Sequence, residues 1–457
     1  MIKVLDEKIN KIHFIGIGGI SMSALAEIML NEGCIVTGSD RSASKLTEKL
    51  KKKGATIYIG HSESNITDQQ LVVYTAAIPK DNPEIQEAIR KNIPIMDRAE
   101  FLGLVMKNYK NSIAVSGTHG KTTTTSMISL ILYRACLDPT IMIGGELDAI
   151  GGNLKIGNSE YFITEACEYK GSFLNFYPKI AIILNIDADH LDYYKDINEI
   201  YDTFIKFSKN ISKDGVLIGY AEDERVKQIL NSTSAKTLSY GINEGDIRAT
   251  SIRFDSKGCA EFDVLKNNEI VGTIKLNVPG KHNILNSLAA ICCALSLGID
   301  FDIIKNSLYE FTGTHRRFEK KGVKKGITVI DDYAHHPTEI RATIQAAQNY
   351  PHKKLYCIFQ PHTYTRTLTL FDEFSKAFNG VDKLILTDIY AAREKDLGLV
   401  NSKMLADAVE RNGVDVVYIK DFDEIVKYIE ENLSEGDVVI TMGAGDVYKI
   451  GEEFLQR

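Results

Sequence analysis

The feature that most constrains this fold is a glycine-rich segment that reads Ser-Gly-Thr-His-Gly-Lys-Thr-Thr over residues 116–123. The apolar run Ile113-Ala114-Val115 precedes it, and a segment with apolar residues at helical spacing, residues 127–131, follows it. A strand, a glycine turn, a Lys-Thr pair and a helix in this order are typical of a loop that binds nucleotide phosphates. Glycines allow backbone N–H groups to turn toward an anion, and the helix N-terminus adds about half a positive charge.

This loop is predicted to bind the phosphates of a nucleotide, together with Mg²⁺. Lys121 would reach the β- and γ-phosphates, and the hydroxyl of Thr122 would hold Mg²⁺. The general pattern has a glycine at the position of Val115, so this loop is the shorter Gly-x-x-Gly-Lys-Thr. An ordinary turn between a strand and a helix remains the alternative. The residues predicted to contact the nucleotide here are Gly117, Thr118, His119, Gly120, Lys121, Thr122 and Thr123.

Length and composition predict a globular protein of about three domains. The chain has 457 residues, and a domain usually takes ~150. Its hydrophobic content of 44% and charged content of 25% are ordinary for a soluble fold. The net charge of −7 argues against a nucleic-acid partner, because such a partner requires a basic surface.

The sequence carries no sign of export or of a membrane span. Residues 1–10 lack the apolar core of a secretory signal. The longest apolar run, residues 288–297, is too short to cross a bilayer. The seven cysteines are scattered and form no C-x-x-C pair, which favours reduced thiols. We therefore expect a cytoplasmic protein with no membrane partner.

The first region, residues 1–107, alternates apolar runs with amphipathic segments, which predicts a parallel, doubly wound sheet. Its first turn, residues 16–21, reads Gly-Ile-Gly-Gly-Ile-Ser and is nearly G-x-G-x-x-G. An acidic residue follows the second strand, where such a residue often contacts a ribose. We expect a nucleotide or diphosphate ligand here, with NAD and a turn without ligand as the alternatives. The residues predicted to bind it are Gly16, Gly18, Gly19, Ser21 and Asp40.

Two further α/β regions follow along the chain. In residues 108–313, the continuous apolar run at 180–184 predicts a fully buried central strand. A strand-rich insert is expected over residues 236–278. Residues 314–457 again alternate apolar runs with helical segments, which predicts a second doubly wound sheet. The predicted fold is therefore α/β in three domains: an N-terminal Rossmann-like domain, a central P-loop ATPase domain with a parallel sheet, and a C-terminal Rossmann-like domain.

Acidic and histidine residues follow two of the predicted strands in the central region. Glu165 and Glu168 come after one strand, and His190 comes after the buried strand. Ligands of α/β sheets bind at the carboxyl ends of strands. Because Mg²⁺ prefers oxygen ligands, Thr122 and one of these carboxylates could hold it. His190 is a softer ligand, and a histidine among aspartates is more often a hydrogen-bonded turn residue than a metal ligand.

Other polar groups suggest contacts to a base and to a small substrate. Asn283 and Asn286 are three residues apart, so both lie on one side of a helix and could pair with adenine. A helix N-cap is the alternative for these asparagines. Residues 331–337 and 360–366 each follow a strand and supply histidine, arginine and carboxylate groups. Polar surface loops have a similar composition, so composition alone does not decide between a site and a loop.

Taken together, these motifs resemble those of the ATP-dependent Mur ligases of bacterial cell-wall synthesis. The resemblance runs over nearly the whole chain, with the motifs in the family's order. It implies a first domain that binds the UDP part of a substrate, a second that binds ATP, and a third that closes over both with an amino acid. The segments that carry it are residues 13–19, 117–123, 165–168, 185–192, 280–286, 316–318, 332–337 and 361–366.

The resemblance also implies a role for each matched residue. The predicted catalytic residues are Lys121, Glu168 and His190. Thr122, Glu168 and His190 would bind Mg²⁺. Asn283 and Asn286 would contact adenine, while Asp332 and either Arg316 or Arg317, the latter preferred, would complete the ATP site. The amino-acid site would be formed by Tyr333, His335, His362 and Arg366.

The implied reaction is an ATP-dependent ligation in peptidoglycan precursor synthesis. The best-matching branch joins L-alanine to the lactyl carboxylate of UDP-N-acetylmuramate. Because an amine does not displace oxide from a carboxylate, ATP would first convert that carboxylate into an acyl phosphate. The amino group of L-alanine would then attack the acyl carbon, which gives an amide, ADP and phosphate. Water must be kept from the intermediate, and this gives domain closure a physical reason.

The sequence departs from the family pattern at two positions. Ser21 stands for a glycine, and Thr363 stands where some relatives carry an arginine near the amino acid's carboxylate. Arg366 is therefore predicted to hold that carboxylate, unless it pairs with a local acid such as Asp372. A ligase for a recycled tripeptide and a nucleotide-binding regulator are the alternative functions. A monomer and a homodimer are both open.

Overall fold

The computed structural model describes residues 9–457. The first eight residues of the predicted first domain, which include most of the segment considered as a signal, lie outside this range. The described chain forms three sheets, each covered by helices, which confirms the predicted three-part α/β fold. No helix within the described range is both long and apolar enough to cross a bilayer.

The first unit is a five-stranded, wholly parallel sheet with the strand order β3-β2-β1-β4-β5. Apolar runs form its strands because both faces of the sheet are buried under helices. The predicted doubly wound arrangement is thus confirmed. Its elements are β1 (Lys11–Ile15), α1 (Ile20–Asn31), β2 (Ile35–Asp40), α2 (Lys45–Lys52), β3 (Thr56–Ile59), β4 (Leu71–Tyr74), α3 (Pro83–Arg90), β5 (Ile95–Asp97) and α4 (Arg98–Met106).

The second unit contains a ten-stranded sheet with the order β15-β14-β13-β12-β11-β10-β6-β9-β7-β8. Its elements are β6 (Asn111–Ser116), α5 (Lys121–Arg134), β7 (Thr140–Leu147), β8 (Gly152–Lys155), β9 (Tyr161–Glu165), β10 (Ile180–Ile183), α6 (Ile197–Ser208), β11 (Val216–Tyr220), α7 (Glu224–Ser232), β12 (Lys236–Gly241), β13 (Ile247–Phe254), β14 (Cys259–Lys266), β15 (Glu269–Pro279), α8 (His282–Ser296) and α9 (Phe301–Glu310).

Strand β10 is buried at every position and lies between β6 and β11, as the apolar run predicts. The region expected to be a strand-rich insert, residues 236–278, does contain strands, β12 to β15. Strands β12 to β15 continue the same sheet, with β12 parallel to β11 and the last pairs antiparallel. Hydrophobic alternation identifies such strands, but it carries no information about which sheet they join.

The third unit is a six-stranded sheet with the order β16-β17-β21-β18-β19-β20. Five strands are parallel, and β16 pairs with β17 in the antiparallel direction at one edge. Strand β16 has the polar sequence EKKGVK, so no apolar pattern predicts it. The elements are β16 (Glu319–Lys324), β17 (Ile327–Asp332), α10 (Pro337–Gln348), β18 (Leu355–Phe359), α11 (Tyr364–Thr369), α12 (Phe371–Ser375), β19 (Lys383–Leu386), α13 (Ser402–Arg411), β20 (Val416–Tyr418), α14 (Phe422–Asn432), β21 (Val438–Met442) and α15 (Tyr448–Gln456).

The strand register of the second unit brings three loops to one edge. In β6, Ser116 lies beside Ile183 of β10, and Val115 lies beside Glu165 of β9. The segments that follow these strands therefore begin next to one another. This edge receives the glycine-rich loop after β6, the acidic segment after β9 and the segment that contains His190 after β10.

The first unit packs against the second through a close approach at Gly103. This glycine lies inside α4, and an added Cβ would stand 2.1 Å from the carbonyl oxygen of Asn175. Because a backbone carbonyl cannot swing aside as a flexible side chain can, the two segments would have to separate.

We predict that Gly103→Ala lowers the melting temperature, with a loss of about 1–3 kcal/mol typical of overpacking. The control is Gly322→Ala in β16, where the added Cβ would meet only the flexible side chain of Leu455, at 3.2 Å. Thermal unfolding of both variants gives the comparison. Equal melting temperatures for the two variants would contradict this close approach.

Candidate active site

The glycine-rich loop closes over the end of β10. The backbone N–H of His119 donates to Oδ1 of Asn185 at 2.8 Å, and that of Thr118 donates to the Asn185 carbonyl at 3.2 Å. Gly117 and Gly120 have φ values of 132° and 84°, a region that favours glycine. The loop is thus held in a compact form just before α5 begins at Lys121.

Lys121 points back across this loop toward an acidic residue. Its Nζ donates to the carbonyl oxygens of Gly117 and Thr118 and lies 3.0 Å from Oε2 of Glu168. Burial alone would lower the pKa of Lys121, but the negative charge of Glu168 outweighs this and raises it. The side chain is therefore a cation at neutral pH, placed where phosphates would enter.

The structure brings two of the three predicted Mg²⁺ ligands together. Nε2 of His190 lies 3.6 Å from Oε1 of Glu168, which is nearly fully buried. The ring of Tyr169 packs 4.7 Å from that of His190. Thr122, the third, is the second residue of α5. Glu165 is engaged elsewhere, because its carboxylate accepts the N–H of Gly144 at 2.7 Å.

A cavity of about 350 Å³ lies between the second and third units. The two asparagines on its wall are hydrogen-bonded to each other, Nδ2 of Asn286 to Oδ1 of Asn283 at 3.0 Å. The N-cap of α8 is Lys281, so the helix-cap alternative for the asparagines is wrong. The predicted ATP-binding residues that line this cavity are His119, Gly120, Thr123, Asn283, Asn286, Arg317 and Asp332.

Asp332, one of the acidic residues that line this cavity, has an altered pKa. Burial raises the pKa of Asp332 to about 6, although Arg317 opposes the shift. Its carboxylate accepts the N–H groups of Ala334 and Phe318 at 2.7 and 2.8 Å. Arg316 points away from the cavity and pairs with Asp331 at 2.9 Å, so of the two arginines considered only Arg317 is on the wall.

A second cavity of about 340 Å³ lies beyond His190. Two residues predicted for the amino-acid site, His362 and Arg366, line it, as does Asp189. The other two predicted residues do not line it. The ring centroid of His335 is 5.8 Å from that of His362, and the ring centroid of Tyr333 is 5.4 Å from that of His335.

Arg366 is held by a carboxylate of the second unit. Its Nε donates to Oδ1 of Asp189 at 3.0 Å, and one of its terminal nitrogens lies 3.1 Å from Nδ1 of His362. The alternative partner Asp372 is therefore wrong. Burial would raise the pKa of Asp189, but Arg366 outweighs it and holds the pKa well below the usual range. Thr363 is the N-cap of α11 and accepts the N–H of Arg366 at 3.4 Å.

Histidine 119 connects the glycine-rich loop to the third unit. Its Nε2 lies 3.1 Å from Oδ2 of Asp187, and its Nδ1 lies 3.2 Å from Oε1 of Glu339. Burial would lower the pKa of His119, but these two carboxylates raise it to about 9. The hydroxyl of Thr338 also donates to Asp187, at 2.9 Å. A doubly hydrogen-bonded imidazolium thus crosses the boundary between the units.

Sequence reasoning missed the residues that cross this boundary. Glu339 reads as an ordinary acidic residue in the first turn of a helix. The polar segments identified in the sequence include Asp187, Asp189 and His336. Each has a hydrogen-bond partner that is distant in the chain, so the neighbouring sequence does not identify it. His119, Asp187 and His336 lie close enough to share a cation. Their polar atoms are already engaged in hydrogen bonds, with Nε2 of His336 at 3.1 Å from the carbonyl of Ala188.

The predicted UDP-binding residues lie together at the carboxyl ends of β1 and β2. The N–H of Gly18 donates to Oδ2 of Asp40 at 2.9 Å, and that of Gly16 donates to the Ser39 carbonyl at 2.8 Å. Gly19 is the N-cap of α1, and Ser21 is in the first turn of that helix. This arrangement leaves the helix N-terminus facing the predicted diphosphate position.

Three family descriptions match successive parts of the chain. "Mur ligase family, catalytic domain" matches residues 11–110. "Mur ligase middle domain" matches residues 115–294, and "Mur ligase, glutamate ligase domain" matches residues 316–445. The matches follow the order of the three sheets.

Proteins named UDP-N-acetylmuramate–L-alanine ligase are similar to this chain over nearly its whole length. The UDP-N-acetylmuramate–L-alanine ligase of Clostridium botulinum is 58% identical over 452 residues, covering 99% of this chain and 98% of that protein. The corresponding ligase of Clostridium acetobutylicum is 59% identical over 448 residues, covering 98% of each. The crystal structure of the UDP-N-acetylmuramate–alanine ligase of Thermotoga maritima superposes with a TM-score of 0.83 at 34% identity, covering 98% of each chain.

The raised pKa of His119 generates a pH-dependent contribution to stability. A folded-state pKa of about 9, above the ordinary 6.5, stabilises the folded chain fully below pH 6.5, and this contribution is lost as the pH rises through 9. We predict that His119→Gln costs on the order of 2–3 kcal/mol at pH 6 and much less at pH 10. Denaturant unfolding of both proteins across this range gives the difference. A difference that does not change with pH would contradict the charged state assigned to His119.

Proposed function

The chain belongs to the Mur ligase family, and from this membership we propose that it joins L-alanine to UDP-N-acetylmuramate while ATP is converted to ADP and phosphate. The relatives that are 58% and 59% identical carry this activity in their names. Such similarity over almost the full length supports the same substrates. The product is a precursor of peptidoglycan.

One observation in the structure carries the proposal: cations and carboxylates converge between the two cavities. Lys121, Glu168 and His190 form one group, with 3.0 and 3.6 Å between neighbouring atoms. Asp189 and Arg366 form the next, on the wall of the second cavity. A phosphoryl donor in the first cavity and an amino acid in the second would meet at this cluster. A regulator that only binds a nucleotide has no need for the second group.

We propose that ATP occupies the first cavity. Its adenine would contact Asn283 and Asn286, and its phosphates would accept the N–H groups of the glycine-rich loop. The lactyl carboxylate attacks the γ-phosphorus, and the bond to the β,γ-bridging oxygen breaks, which gives ADP and an acyl phosphate. Lys121 neutralises the charge that spreads over the transferred phosphoryl group.

The residues present fit a divalent cation beside these phosphates. Glu168 supplies a carboxylate, His190 a ring nitrogen and Thr122 a hydroxyl. Mg²⁺ prefers oxygen ligands and usually keeps several waters, so a small protein ligand set suits a cation that also binds phosphate oxygens. When bound, it would neutralise phosphate charge. We therefore propose that Thr122, Glu168 and His190 bind Mg²⁺.

The second cavity would hold L-alanine. Burial lowers the pKa of His335 to about 3 and that of His362 to about 4, so both rings are neutral at pH 7. Arg366 is then the permanent cation that faces the amino acid's carboxylate, with Tyr333, His335 and His362 as additional contacts. The amino group attacks the acyl carbon, the amide bond forms, and phosphate leaves.

The remaining assignments concern the first domain and the surroundings of the protein. We propose that Gly16, Gly18, Gly19, Ser21 and Asp40 bind the UDP part of the substrate. We propose domain limits at residues 1–107, 108–313 and 314–457. A cytoplasmic location is proposed because ATP is the phosphoryl donor and all seven cysteines are unpaired.

The test is ADP formation with UDP-N-acetylmuramate, with and without L-alanine. We predict ADP release that requires both, and an amide product by mass spectrometry. Lys121→Ala should lower turnover at least tenfold, which corresponds to ~1.4 kcal/mol in the barrier. Lys403→Ala, at an exposed position of α13, is the matched control. A tripeptide that replaces L-alanine as the better substrate would indicate the sister ligase, and ATP binding without ligation would indicate a regulator.

Arg366 both pairs with Asp189 and faces the proposed alanine site, so its replacement should affect stability and substrate binding. Arg366→Ala should raise the KM for L-alanine at least tenfold, since a hydrogen bond to a charged group contributes ~1.5–3 kcal/mol. It should also lower the melting temperature, because Asp189 is left buried without its partner.

A second variant separates these two effects. Arg366→Lys keeps a cation beside Asp189 but loses the planar guanidinium donors. We expect it to retain most of the thermal stability while the KM for L-alanine stays raised, with the KM for ATP nearly unchanged in both variants. If both variants lost stability but bound L-alanine normally, Arg366 would be a structural partner of Asp189 only.

A further inference from the structure

Glu339 contacts two parts of the site at once. It is the third residue of α10, and its side chain is 15% exposed. One carboxylate oxygen lies 3.2 Å from Nδ1 of His119. The other accepts the backbone N–H of His335 at 3.1 Å and lies 3.4 Å from that residue's Nδ1. A single carboxylate therefore joins the glycine-rich loop to the segment before α10.

The two histidines held by Glu339 lead toward different cavities. His119 lines the nucleotide cavity. The ring of His335 lies 5.8 Å from the ring of His362, whose Nδ1 is 3.1 Å from a guanidinium nitrogen of Arg366. Contacts thus run without a gap from the phosphate-binding loop to the residue proposed to hold the amino acid.

The charges around this contact favour a fixed geometry. His119 also faces Asp187 and the ring of His336, whose centroid is 4.8 Å away. Glu339 also faces the positive charge of Arg317. Hydrogen bonds between charged groups are short, directional and stronger where water is largely excluded. Moving either partner would break a hydrogen bond between two largely buried charges, so the contact resists displacement.

We propose that Glu339 is a positioning residue for the ligation. Held by His119 at one oxygen, it fixes His335 with the other, and so keeps His362 and Arg366 in the arrangement that binds the amino acid. This inference rests on the proposed function and deepens it. It assigns a role in the affinity for L-alanine to a residue that lines the nucleotide cavity and not the amino-acid cavity.

A simpler role would be to stabilise the start of a helix, because a carboxylate in the first turn interacts favourably with the helix dipole. The chain offers a matched control for that effect. Glu424 is also the third residue of its helix, α14, in the same unit, and it is exposed. Glu424→Gln removes the same charge from the same helical position without any contact to the site.

The experiment compares Glu339→Gln, His119→Gln, the double variant and Glu424→Gln in steady-state ADP formation. Glu339→Gln should raise the KM for L-alanine about tenfold, with a smaller change in kcat. His119→Gln should also raise the KM for L-alanine, although His119 lines the nucleotide cavity. The double variant should be no worse than Glu339→Gln alone, and Glu424→Gln should match the unchanged protein.

Two results would overturn the proposal. The first is a double variant whose KM for L-alanine rises by the product of the two single-variant effects. Residues that act independently add in free energy, so their effects on KM multiply. The second is a His119→Gln effect confined to the KM for ATP. If Glu339→Gln does not fold, Glu339→Asp keeps the charge but shortens the reach, and it should show the same selective rise.

A failure of the proposed function gives a different outcome. In that case the unchanged protein forms no ADP that depends on L-alanine. The contact is then tested without substrates, by the melting temperatures of the four proteins in the double-variant cycle. Coupling between positions 119 and 339 is expected there, and its absence would overturn the contact itself.

Discussion

The pairing of two carboxylates with cations at the boundary between the second and third units is the interaction on which the site depends; Asp189 is buried and Asp187 is partly exposed. Asp187 and Asp189 follow a fully buried strand, so the fold fixes their positions. A buried carboxylate costs several kcal/mol unless a cation or hydrogen-bond donors compensate it. His119 shares Asp187 with Thr338, while the third unit supplies Arg366 for Asp189. Docking of the third unit thus neutralises charges that would otherwise require water.

Compensation of a largely buried charge by neighbouring groups also occurs inside the glycine-rich loop. Lys121 donates to two loop carbonyls and to Glu168, so its charge is compensated in the protein alone. A phosphate that entered would compete for this ammonium group, and a cation that entered with it would compete for Glu168. Binding of the proposed phosphate and of the proposed cation would then support each other, since each would release a group that the other needs. This coupling follows from the 3.0 Å contact and from the opposite charges of Lys121 and Glu168.

Sequence patterns predict strands and helices, which depend on neighbouring residues. They do not predict contacts between residues that are far apart in the chain. Strand β10 is a continuous apolar run because both its faces are buried, so its place at the centre of a sheet could be predicted. Strand β16 is polar, so neither its presence nor its place in the sheet could be predicted. Asp372 looked like a partner for Arg366 because it is near in sequence, whereas Asp189 is 177 residues away. Glu339 was missed for the same reason: a carboxylate at a helix start is ordinary until the fold brings His119 beside it.

The number of donors on Arg366 limits how the amino acid can bind. A guanidinium group has five N–H donors. Asp189 takes Nε and one N–H of one terminal nitrogen, and His362 faces the other terminal nitrogen. Two N–H groups remain, one on each terminal nitrogen. A carboxylate can accept a hydrogen bond from Arg366 without displacing Asp189. The ion pair with Asp189 is therefore compatible with substrate binding, because it leaves donors of the same guanidinium group for the carboxylate of L-alanine.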